Sequence, residues 1–98
     1  ITLCILCKGN KPGKESVENK RIKALHKNIK TLGIKKLYLN SFNDVSLDTV
    51  PHIKLTTYLN EIITKIKPQI VFTNHENDLH IDHKILSKAV KVSCRPKD

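Results

Sequence analysis

The 98-residue chain sets eighteen Lys and Arg against nine Asp and Glu, a formal charge of +9, with 39% apolar residues. That length allows one domain or a piece of one, and the apolar content argues against disorder. Only four residues are Phe or Tyr and none is Trp, which excludes the stacking platform of a single-strand nucleic-acid binder. The charge is almost all lysine, Arg21 and Arg95 apart, and reads as a solvated surface with no nucleic-acid partner. No apolar run approaches the ~20 residues of a membrane span, and no signal peptide is visible.

Residues 1–7, Ile-Thr-Leu-Cys-Ile-Leu-Cys, are almost continuously apolar, as in a strand covered on both faces. Because the chain opens directly on this strand at Ile1, it is expected to be part of a domain. Cys4 and Cys7 form a Cys-x-x-Cys inside that strand, where residues three apart point to opposite faces. They are therefore expected as buried structural thiols, neither a redox pair nor a shared zinc site. Free thiols suit a reducing cytoplasm. Residues 8–14, with Gly9, Pro12 and Gly13, read as a connector without a phosphate-binding fingerprint.

The spacing predicts a first helix from Glu15 or Ser16 to Leu32, with Ile22, Leu25, Ile29 and Leu32 on one face and Gly33 as its stop. His26, among lysines, reads as solvated. Residues 34–40 are expected as a second strand, followed by a loop in which Asp44 and Asp48 are available for turns or caps. A second helix over about 50–67 begins around Pro51, buries Leu55, Leu59, Ile62, Ile63 and Ile66, and ends at Pro68. His52 lies in its exposed first turn. Residues 69–73, Gln-Ile-Val-Phe-Thr, are expected as a third strand, and a third helix runs over about 82–93. This alternation predicts an α/β fold, three-layered and Rossmann-like, with a mostly parallel sheet and right-handed crossovers.

Between the third strand and third helix, His75, Asp78, His80, Asp82 and His83 fall within nine residues. Open α/β sheets place active sites at such strand-to-helix loops. Histidine is the commonest zinc ligand, and a catalytic zinc uses three protein ligands and a water. His80 and His83 are spaced to face one cavity, with Asp82 available to accept a hydrogen bond from one ring and fix its tautomer. By spacing alone, His83 as ligand with His80 as acid is reasonable, and so is the reverse. His75, Glu76, Asp78 and Asp82 also suit loop caps. The His-x-His-x-Asp-His motif of metallo-β-lactamase-type hydrolases would need His where Asp78 stands.

Taken with Lys67-Pro68-Gln69-Ile70-Val71-Phe72-Thr73, the run Asn77-Asp78-Leu79-His80-Ile81-Asp82-His83-Lys84 and the closing Cys94-Arg95-Pro96, the chain resembles the LmbE/PIG-L family of zinc-dependent N-acetylglucosaminyl deacetylases. Arg21, Leu32-Gly33, Asn43-Asp44 and Leu47-Asp48 extend the resemblance towards the start. It implies a single partial deacetylase domain over residues 1–98, cytoplasmic, acting on an N-acetylated sugar or glycoconjugate to release acetate and a free amine. It implies His83 as a zinc ligand, His80 as the imidazole that polarises the carbonyl or protonates the leaving amine, and Asp82 as the carboxylate orienting it. Asp78, Lys84 and Arg95 would contact substrate. The family's remaining zinc ligands and its general base lie in a His-Pro-Asp-Asp-Glu segment, absent from these residues and expected upstream of Ile1. Gln69 stands where the family has Asp, Lys84 where it has Arg, and Ala24 where it often has Glu. The alternative is a non-catalytic basic module or inactive relative binding nucleic acid or anionic glycans, with salt-sensitive affinity.

Overall fold

The computed structural model describes residues 1–7, 15–42 and 46–96. The connector 8–14 and the pair Asn43-Asp44 lie outside the described residues. In order come β1 (Thr2–Cys7), α1 (Glu15–Leu32), β2 (Lys36–Phe42), a 3-10 turn (Leu47–Thr49), α2 (His52–Ile66) and α3 (Ile81–Ser93). They form a mixed α/β arrangement of one two-stranded parallel sheet and three helices. The chain divides into two compact units, 1–44 and 45–98.

In the first unit β1 and β2 run parallel, pairing Thr2 with Lys36, Leu3 with Leu37, Cys4 with Tyr38 and Ile5 with Leu39, then slipping so that Cys7 meets Phe42. Parallel neighbours need a crossover, and α1 supplies it. The helix stops as its sequence dictates. Gly33 takes φ 69°, donating to Lys30 O at 3.3 Å, while Ile34 donates to Ile29 O at 3.1 Å. These two bonds satisfy carbonyls that the last turn leaves open. The motif uses up Ile34, and β2 accordingly begins at Lys36, two residues later than its composition suggests.

Packing in this unit is thinner than the pattern predicts. Ile22, Leu25 and Ile29 are half-buried, and Leu32, expected on the same face, is 69% exposed. Cys4 and Cys7 are half-buried rather than buried, because a strand in this two-stranded sheet is not enclosed on every side.

The second unit holds most of the core. Leu55 and Leu59 of α2 are buried, as is Ala89 of α3; α2 packs on α3, and α3 on the 3-10 turn, whose Leu47 is buried. Thr56 is buried too, its hydroxyl donating to His52 O and Ile53 O within α2. The C-cap of α2 is Lys67, left-handed at φ 51° and ψ 57°, and its N–H donates to Ile63 O at 2.8 Å. Pro68 then prevents any continuation.

Residues 69–73 correct the sequence reading: they form no strand, and Ile70, Val71 and Phe72 are exposed. Their composition suits a strand, but a strand exists only where a neighbour completes its hydrogen bonds. The one sheet among the described residues pairs β1 with β2 alone.

Candidate functional site

The histidine-rich segment folds as a sequence of local caps leading into α3. His75 accepts at its Nδ1 from the Asn77 N–H, 3.1 Å, and at its carbonyl from the Asp78 N–H, 3.1 Å. Asp78 Oδ1 then accepts from the His80 N–H at 2.9 Å. His80 is the N-cap of α3, extended at φ −74° and ψ 125°, and its Nδ1 accepts from the Asp82 N–H at 3.1 Å. An N-cap acceptor at that place satisfies one of the four N–H groups every helix start leaves open. Glu76 pairs with Lys91, in the last turn of α3, so the loop is tied to the far part of that helix.

Asp82 is buried in the first turn of α3, where the helix dipole favours a carboxylate. Its Oδ1 accepts from the Leu47 N–H at 3.0 Å, a bond spanning 35 residues that fastens the helix start to the 3-10 turn. The hydrogen bond between Asp82 and His80 runs through the Asp82 backbone. The sequence reading, which considered the carboxylate alone, paired Asp82 with a ring but missed the backbone route to His80 and the Leu47 partner. Neither the turn at Leu47 nor the N-cap role of His80 has a signature in the spacing of polar residues.

His80 and His83 stack, ring centroids 4.5 Å apart and planes 17° from parallel. The second oxygen of Asp78, Oδ2, lies 3.1 Å from His83 Nδ1, too bent for a straight hydrogen bond but close enough for a strong electrostatic contact. That nitrogen is buried, although the His83 side chain as a whole is 42% exposed. The Asp78 carboxyl is held below its ordinary value of 3.8, first by the His80 N–H and next by His83. Glu76 is likewise held below 4.5, by the Lys91 hydrogen bond and charge.

The fold therefore gathers Asp78, His80, Asp82 and His83 around one helix N-terminus. Lys84 follows them, exposed, its N–H making the first helical bond to His80 O at 3.1 Å. Arg95 does not join them. It is exposed just beyond the far end of α3, about 20 Å along the axis at 1.5 Å per residue. His26 and His52 are exposed, as expected.

An imidazole with Nδ1 engaged by a carboxylate and Nε2 remaining has the form of a metal-ligating histidine, so His83 fits one position of a zinc centre. Among the described residues no group of three or more His, Cys, Asp or Glu is placed to hold a metal.

A mixed α/β protein with paired imidazoles and carboxylates at a helix start has the parts for acid–base or metal-assisted hydrolysis. The family model of the GlcNAc-PI de-N-acetylases, PIG-L, matches residues 2–94. The chain belongs to that family, whose named activity is removal of the N-acetyl group from an N-acetylated sugar. No curated protein and no solved structure matches the chain. No helix among the described residues is long and apolar enough to cross a membrane.

Proposed function

We propose that the protein is a zinc-dependent deacetylase that hydrolyses the N-acetyl group of an amino sugar or glycoconjugate, releasing acetate and a free amine. The observation that carries this is the coincidence of the family match with the capped turn holding His80, Asp82 and His83 at the start of α3. The match runs through both compact units, which supports reading residues 1–98 as belonging to one deacetylase domain, and a cytoplasmic location is part of the same proposal. In that reading the α/β fold is mostly parallel, three-layered and Rossmann-like.

His83 supplies one metal ligand. The others are those the family carries in its His-Pro-Asp-Asp-Glu segment, which these 98 residues do not contain. Zinc, when bound, supplies Lewis acidity and an activated water. His80 holds a proton at Nε2, because its Nδ1 is already an acceptor. It hydrogen-bonds the amide carbonyl through that N–H and polarises it, as a neutral imidazole can. Asp82 keeps the turn in place through Leu47. Lys84 and Asp78 lie beside the site for sugar contacts, and Arg95 is the weakest of the substrate contacts because of its distance along α3.

The test uses the intact protein, with acetate release from an N-acetylglucosaminyl glycoconjugate and bound divalent metal as its two readouts. His83→Ala is expected to lose both. An intact protein that binds no divalent metal, or a variant that deacetylates at the unmodified rate, overturns the proposal.

A further inference from the structure

We infer that Asp78 is a positioning residue: it holds neutral His83 with its proton on Nδ1, while the helix start holds neutral His80 with its proton on Nε2. The two stacked rings are thereby locked in opposite tautomers. This rests on the proposed deacetylase site and assigns Asp78 a role beyond touching sugar.

The argument begins with His80. A backbone N–H is always a donor, so the Asp82 N–H at 3.1 Å from His80 Nδ1 requires a lone pair there. The one proton of a neutral imidazole must then sit on Nε2. At His83 the partner has the opposite sense. Asp78 Oδ2 at 3.1 Å is an acceptor bearing negative charge, and a ring lone pair facing it is repelled whereas an N–H is attracted, even along a bent approach. His83 Nδ1 is buried, so no solvent competes for it. Nδ1 therefore carries the proton and Nε2 is bare.

Asp78 is itself fixed, because its other oxygen accepts from the His80 N–H at 2.9 Å. One carboxylate thus bridges the two residues: it caps the backbone of His80 and sets the ring of His83. The stacking at 4.5 Å keeps the rings in register. The result divides the labour that residue spacing left open between them. A bare Nε2 suits His83 to a metal, and a protonated Nε2 suits His80 to donate to a carbonyl or amine.

Long-range proton–nitrogen NMR of the imidazoles reads this directly, on the chain without metal or substrate, at about pH 9 where ordinary imidazoles are neutral. Expected are a protonated Nδ1 at His83 and a protonated Nε2 at His80. In Asp78→Asn the amide can still cap His80 through its oxygen, but its NH2 now donates to His83, so His83 is expected to switch to the Nε2–H form. In the intact protein the same variant is expected to bind zinc about 10–100-fold more weakly in competition with a chelator. A His83 that carries its proton on Nε2 in the unmodified chain, or that stays Nδ1–H in a folded Asp78→Asn variant, overturns the inference. The unmodified spectrum decides alone if the variant does not fold. Because no turnover is measured, failure here is separate from failure of the deacetylase proposal.

Discussion

Residues 1–44 carry ten Lys and Arg against three carboxylates, and among their described residues bury one large apolar side chain, Leu6. Residues 45–98 carry eight against six and bury Leu47, Leu55 and Leu59, with Ala89 beside them. The first unit is held chiefly by its parallel strand pair and a helix cap, and wears its lysines on a helix with no buried residue among those described. The second is held by helix-on-helix packing, and there the capped histidine turn is built. Side chains that must keep an orientation to within a few tenths of an ångström need a packed scaffold beneath them. The contrast shows which unit holds the packed scaffold and the capped histidine turn, and which carries most of the net charge.

The contrast breaks most readily at the core. Leu55→Ala removes a fully buried side chain and is expected to cost about 2–5 kcal/mol. Leu25→Ala, half-buried on α1, should cost less than half as much. Urea unfolding of the two variants side by side checks this, and equal losses would erase the difference in packing. A smaller effect is expected where the helix start is fastened. Asp82→Ala strands the Leu47 N–H and should cost about 1–3 kcal/mol, with faster amide exchange across residues 46–50. Asp82→Asn keeps an acceptor and should recover much of that loss; if it is as damaging as alanine, the charge matters more than the bond.

The smallest effect concerns pH. Asp78 and Glu76 have folded values below their ordinary 3.8 and 4.5. Their contribution to holding the loop is therefore complete above those ordinary values, and is lost as pH falls through the lower folded ones. Amide exchange at His80, whose N–H Asp78 accepts, compared between pH 6 and progressively more acid samples, should quicken only at the acid end. The strand pair of the first unit should show no matching change.

How far these features could be read in advance depended on whether their cause was local. Helices α1, α2 and α3 were legible because apolar spacing, Gly33 and Pro68 are signals contained within a few residues. The run 69–73 carried an equally clear local signal and misled, since a strand depends on a partner its own residues do not specify. The site divides in the same way. His80, Asp82 and His83 were identifiable as a group from residue types and spacing, and their gathering at the start of α3 follows from the helix boundary. Their partners were not. Asp82 reaches Leu47 across 35 residues, Glu76 finds Lys91 fifteen residues on, and Asp78 meets His83 only because the intervening turn is capped as it is.

The exposed run Ile70-Val71-Phe72 has a bearing on how the protein behaves in a test tube. Phe72 is 92% exposed, and residues 69–73 contain neither a charge nor a proline. Uncharged, strand-prone backbone without a ladder partner is a template for pairing between molecules. Lys67 and Pro68 on one side and Glu76 on the other stand where solubility-guarding residues are found beside sticky segments. Concentrated samples should accordingly cloud first through this segment, and a single charge placed at Phe72 should keep them clear.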